Sequence, residues 1–194
     1  MQLPRLLCVA GSTRSGSYNQ ALAGAMAKHL SLSEMDVTFL SLTDYPLPLF
    51  NTDDEKEKGL PENAVRLAKM FARHDGIFIA SPEYNGSITP LMKNTLDWIS
   101  RVPPEGRHAF HSPVFAIGAA SPGQLGGMRS LAHLRDILVA LGAFCIPQQV
   151  SIASASKAFD DKGDLIGDRE NAFLTTCATG LIQTAKKFKP LESA

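Results

Sequence analysis

The chain has 194 residues, 44% of them apolar, and its 19 lysines and arginines balance 19 aspartates and glutamates. That length suits one domain burying roughly 70% of the surface its unfolded chain exposes, and a zero net charge sets up no field for nucleic acid or an anionic membrane. Cys8, Cys145 and Cys177 are isolated and odd in number, which argues against a disulfide framework or zinc cluster and suits thiols in a reducing cytoplasm. No apolar run approaches bilayer length, and the first one is too short for a signal peptide. A single cytoplasmic domain over 1–194 is expected, with neither nucleic acid nor membrane as partner.

The apolar run RLLCVA (5–10) predicts a strand, and it empties into GSTRSGSYN (11–19). Gly11 lets the chain turn sharply, and a helix predicted over 18–31 presents its unpaired N–H groups there, where an anion gains from both donors and dipole. Ser12, Thr13, Ser15 and Ser17 add hydroxyls, Asn19 an amide and Arg14 a positive fork. The glycines fall at the spacing of a nucleotide-hydrolysing phosphate loop, but Ser17 stands where its lysine is required. The dinucleotide fingerprint is absent too. A phosphate held in place fits this loop better than one being transferred.

The second strand is VTFLSL (37–42), with Thr38 and Ser41 marking a sheet edge, and the charged stretch NTDDEKEKG (51–59) reads as a solvated loop. A helix over 61–73 leads to the strand GIFIA (76–80), which opens into SPEYNGSITP (81–90). Here a proline-stiffened turn, a glycine and backbone amides flanked by Tyr84 and Asn85 suit the edge of a flat heteroaromatic ring. Thr89 is placed to cap the helix predicted over 88–100, with Pro90 at its first position. That helix carries Leu91, Met92, Thr95, Leu96, Trp98 and Ile99, a broader apolar surface than one sheet-facing stripe. The extra face is expected to pair with a second copy, deeper burial in the monomer being the alternative.

The strand PVFAIGA (113–119) ends in ASPGQLGGMR (120–129), where Gly123, Gly126 and Gly127 imply a difficult backbone path or a ligand against the main chain. A helix over 126–141, a strand over 143–152 and a helix over 169–187 complete the pattern. Pro147 cannot donate to a ladder, so the fifth strand belongs at an edge. His108 and His111 lack a third ligand and predict no metal site; His133 reads as exposed or partly buried, and Cys8 as a core thiol. With the first, third and fourth strands apolar throughout, the order is 2-1-3-4-5. The fold expected is α/β: a flavodoxin-like three-layer sandwich, a five-stranded parallel sheet with helices on both faces. Ligands then bind beyond the carboxyl ends of the strands, and the three loops gather there. One phosphate at the first loop and a ring between the other two match the shape of FMN.

These residues resemble the flavodoxin-like NAD(P)H-dependent FMN reductases, a group that includes quinone, chromate and azo-dye reductases, over almost the whole chain. The stretch GSTRSGSYNQALA is similar to the family's phosphate loop, which implies cofactor contacts from Ser12, Arg14, Ser17, Tyr18 and Asn19. SPEYNGSITPLMKNTLDWIS resembles its flavin-ring loop, implying Pro82, Glu83, Tyr84 and Asn85, and SPGQLGGMR resembles the third flavin loop, implying Ser121. The resemblance implies NADPH or NADH as co-substrate, ping-pong reduction of quinones, flavins or related acceptors, and a homodimer or dimer of dimers. The chemistry belongs to the cofactor, so no catalytic side chain is named; Tyr84 and Arg129 are candidates for touching nicotinamide or acceptor, and Glu83, a conceivable general acid, is expected instead to position its loop or meet a partner chain. The rival is an FMN-bound electron carrier without NAD(P)H turnover, for which a neutral chain lacks the expected acidity. A nucleotide-binding regulatory module is more distant.

Overall fold

The structure, a computed structural model, describes residues 3–188; the expected domain span of 1–194 runs past these at both ends. Five parallel strands, β1 (Arg5–Ala10), β2 (Asp36–Leu40), β3 (Gly76–Ala80), β4 (Val114–Ala120) and β5 (Phe144–Ile152), form one sheet in the order 2-1-3-4-5. Among the described residues six α-helices accompany them: α1 (Tyr18–Leu32), α2 (Thr52–Lys58), α3 (Glu62–Arg73), α4 (Pro90–Arg101), α5 (Met128–Ala140) and α6 (Asp168–Phe188). The strand alternation sorts the core into two layers. Cys8, Phe78 and Ala116 lie in one row against α1 and α6, while Leu7, Ile77 and Phe115 lie in the next against α3, α4 and α5.

The central strands β1, β3 and β4 are buried on both faces, and β2 is only partly covered. Pro147 does lie in the edge strand. Pairing with β4 breaks between Phe115 and Ile117, where the partner jumps from Cys145 to Gln149, so the missing N–H falls in an irregular stretch of the ladder. Among the described residues no helix is long and apolar enough to cross a membrane.

Two expectations need correcting. Residues 51–59 are not simply a loop: Thr52–Lys58 is helical. Asn51 accepts a hydrogen bond from the Asp53 N–H at 2.8 Å, Asp53, Asp54 and Glu55 fill the first turn, and Lys56 and Lys58 the last. This charge order opposes the helix dipole favourably. Because α2 buries no residue, apolar periodicity could not reveal it.

The second correction concerns the broad apolar face of α4. Met92, Thr95, Leu96, Trp98 and Ile99 are all buried within this chain, and residues 48–50 account for the extra face. The Trp98 indole N–H donates to the Pro48 carbonyl at 2.8 Å, and the Phe50 ring meets Trp98 edge-on at 5.0 Å. Asn94 fixes the same segment, donating to Pro48 and accepting from the Phe50 N–H. The face expected to receive a second copy is thus occupied from within.

Candidate functional site

The three loops meet at the carboxyl edge of the sheet around a cleft of about 140 Å³. Its lining includes Ser12, Arg14, Ser17, Tyr18, Asn19, Pro82, Glu83, Tyr84 and Ser121, so nine of the ten residues singled out in the sequence come together. Asn85 does not line it. Asn85 has φ of 50° and Gly86 of 80°, and Tyr84 and Ser87 exchange both backbone hydrogen bonds across them. This is a two-residue hairpin turn, for which Asn-Gly is the favoured pair. The turn shapes the second loop and carries Tyr84, half exposed, at the rim of the cleft.

The first loop is a compact turn at the start of α1. Ser12 and Ser17 are buried, and the Ser12 hydroxyl accepts from the Arg14 N–H at 3.3 Å. Ser17 occupies the helix N-cap, yet its hydroxyl makes no capping bond. A serine there ordinarily accepts from the second or third N–H of the helix; here the hydroxyl makes no such bond, and Ser17, Tyr18 and Asn19 line the cleft. Arg14 is exposed and folds over the turn, donating to the carbonyls of Ser15 at 2.9 Å and Gly16 at 3.1 Å. Gln20, not singled out in the sequence, braces the turn by donating to the Ser12 carbonyl at 2.6 Å. Tyr18 stacks on Phe159, the rings 9° from parallel with centroids 6.5 Å apart.

Asn19 lines the cleft and also has a structural task. Its amide donates to the Ala120 carbonyl at 2.8 Å while its oxygen accepts from the Ala120 N–H at 2.9 Å, so the side chain brackets the first loop to the third. Thr89 makes a comparable bracket: its hydroxyl donates to the Gly11 carbonyl at 2.7 Å and accepts from the Met92 N–H, capping α4 as expected.

Glu83 solves a problem posed by the glycines of the third loop. The N-cap of α5 is Gly127, which has no side chain to satisfy the first N–H groups. The Glu83 carboxylate supplies the acceptor from the second loop, taking the Arg129 N–H at 3.1 Å and, more loosely, the Ser130 N–H and the Arg129 guanidinium at 3.4 Å. A carboxylate at a helix start is also favoured by the dipole. Glu83 therefore holds loop against loop, and Arg129 is tied to it. Gly127 itself has φ of 82°, and a methyl group there would fall 2.5 Å from the Cβ of Ala119. Gly126, crowded by Ser151, and Gly127 thus take a difficult backbone path, whereas Gly123 does not. The exposed His133 ring reaches Ser87 at 3.0 Å, a further tie between α5 and the hairpin turn.

The arrangement fits a phosphomonoester with an extended polar arm and a planar head. Unpaired helix N–H groups and a spare N-cap hydroxyl suit the phosphate, and the cleft between Pro82–Tyr84 and Ala120–Pro122, of mixed polar and apolar lining, lies beside them for the head. The model of the NADPH-dependent FMN reductase family matches residues 4–157. An NAD(P)H-dependent FMN reductase of Pseudomonas aeruginosa is 35% identical over 170 residues, covering 85% of this chain and 86% of its own. A quinone reductase of Escherichia coli K12 is 34% identical over 165 residues, with 84% and 85% covered. Among solved structures, the flavoenzyme NAD(P)H:(acceptor) oxidoreductase FerB of Paracoccus denitrificans superposes with a TM-score of 0.78 at 25% identity, covering 96% of this chain and 99% of its own. The fold, the cleft and these matches converge: the chain belongs to the NADPH-dependent FMN reductase family, oxidoreductases that use FMN with a reduced nicotinamide as electron source.

Proposed function

We propose that this protein holds FMN in the cleft between the three loops and passes electrons from NAD(P)H to quinones, flavins or related acceptors in a ping-pong cycle. The observation that carries the reading is Ser17, a buried N-cap whose hydroxyl is left uncommitted at the mouth of the cleft. Held by residues 12–19, 82–84 and 121, FMN would supply the hydride and electron transfer between the two substrates.

The chain's own contribution is binding, orientation and electrostatics. The 12–19 turn anchors the phosphate through hydroxyls, N–H groups and Arg14. Asn19, Thr89 and Glu83 fix the three loops relative to one another, so that the donors are in place before any charge develops. Tyr84, Leu125 and Met128, large and exposed on the second and third loops, offer an apolar surface for a nicotinamide or quinone ring. Donor and acceptor that both need this one rim must visit in turn, which is the physical basis of the ping-pong order.

An FMN-loaded sample bleached anaerobically by NADPH or NADH and then recoloured by a quinone is the expected result. Parallel lines in double-reciprocal plots of steady-state rates would follow. A flavin that stays oxidised under excess of both nicotinamides overturns the reading. The homodimer remains part of the proposal, though on a different surface from α4: Met128, beside the cleft loops, and Val139, near the far end of the helix, lie exposed on one side of α5. Sedimentation at micromolar concentration as a single monomeric species would count against it.

A further inference from the structure

A second and larger hollow, of about 360 Å³, lies at the opposite end of the sheet. It is walled by the last turns of α3, by Arg5 at the start of β1 and by residues 102–109 between α4 and β4. β3 runs between the two sites, its five residues spanning about 17 Å. The hollow therefore shares no residue with the cofactor cleft. Its size is at the low end for small-molecule pockets.

The charges around it do not cancel. Lys69 pairs with Glu105 at 3.0 Å, and Arg107 pairs with Asp75 at 2.8 Å while also donating to the His74 carbonyl. Arg5 and Arg73 add two further guanidinium groups to the wall, so cations outnumber carboxylates among the lining residues. The Arg73 guanidinium reaches only the Met70 thioether, a weak acceptor, and Arg5 contacts Asp75 through its backbone N–H. The Arg107 Nε is buried without an acceptor, one donor short of satisfaction in the same wall. Facing these cations is an apolar surface of Val102, Pro103, Pro104 and alanines of α3. The two prolines have fixed φ, which restricts the conformations of this wall.

We infer that this hollow is a binding site for a small aromatic carboxylate. Arg5 and Arg73 would take the carboxylate, since guanidinium groups match its geometry and also stack on flat rings. The ring would lie on the Pro103–Pro104 face. Inorganic phosphate satisfies the charges but leaves the apolar wall wet, and a neutral aromatic does the reverse; an aromatic carboxylate uses both. The inference does not rest on the flavin reading.

The test is calorimetric titration of the FMN-loaded full chain with 2-naphthoate. One site with Kd on the order of 0.1 mM is expected for a ligand of that size. The double variant R5Q/R73Q should weaken it at least tenfold, with the flavin absorbance unchanged. Both positions are exposed, and R73Q alone, expected to weaken binding severalfold, serves should the pair lower Tm. 2-Naphthalenemethanol and inorganic phosphate should each bind at least tenfold more weakly than 2-naphthoate. The inference is overturned by absence of saturable binding, by equal affinity in the variants, by phosphate or the alcohol matching naphthoate, or by naphthoate displacing FMN.

Discussion

Replacing Asn19 by alanine removes the bracket between the first and third loops. The side chain is only 3% exposed and exchanges two hydrogen bonds with the Ala120 backbone, at 2.8 and 2.9 Å. Its loss strands a buried N–H and a buried C=O on one residue, and each stranded group costs about 1–3 kcal/mol. A single water entering the vacated space would satisfy part of both. The expected destabilisation is about 2–4 kcal/mol, read as a lower urea midpoint with an unchanged m value in unfolding followed by circular dichroism. Asn19→Asp keeps an acceptor for the Ala120 N–H but sets a carboxylate against the Ala120 carbonyl. It should lose at least as much near neutral pH and recover part on acidification, when the protonated carboxyl can donate. An alanine variant within about 0.5 kcal/mol of the parent refutes the bracket, as does an aspartate variant as stable as the parent at pH 7.

Three other outcomes are expected. Gly127→Ala should cost more than about 2 kcal/mol, combining the left-handed backbone penalty with a methyl 2.5 Å from Ala119 Cβ on an unyielding strand, whereas Gly24→Ala, in the middle of α1 with open space around it, should gain about 0.5–1 kcal/mol; similar urea midpoints for the two would contradict this. Burial holds the His74 imidazole below its ordinary value of 6.5, with Arg73 and Arg5 adding to the effect, and His108 is shifted the same way by burial and His111. The unfolded chain therefore takes up more protons as pH falls through 6.5, so this contribution to stability is complete above that pH and is lost below it. Tm should drop on acidification from pH 7.5, and His74→Gln should flatten that slope; an unchanged slope would exclude His74 as a contributor. Burial pushes the Cys177 thiol up to about 12 and raises Cys8 and Cys145 as well, so a chromogenic disulfide reagent should leave Cys8 and Cys177 unmodified in the native protein and label all three cysteines in urea. Prompt labelling of Cys8 or Cys177 without denaturant would contradict their core placement.

The strand order was legible because polarity reports coverage. Thr38 and Ser41 marked the run that became an edge, and Pro147 marked the other, while RLLCVA, GIFIA and PVFAIGA could only be buried on both faces. The three loops were legible for a related reason: small hydroxyls, glycines and prolines collect where strands end. What escaped was everything that joins distant residues. Asn19 and Ala120 are 101 positions apart, and Glu83 lies 46 positions from the helix start that it satisfies. Nothing local distinguishes a free amide or carboxylate from one already engaged. The α4 face shows the same gap: its breadth was evident, but its cover, residues 48–50, reads locally as an ordinary proline-rich connection. α2 was missed because capping and charge order, with no buried face, specify it. The Asn85-Gly86 turn was a local signal and could have been read.

In the proposed complex the phosphate is the anchor of the cofactor. Fluorescence titration of the apoprotein with FMN and with riboflavin, which lacks only that phosphate, tests it most directly. FMN should bind at least about a hundredfold more tightly, the worth of two or so charge-assisted hydrogen bonds, and Ser17→Ala should narrow the gap. Equal affinity for the two flavins would contradict it.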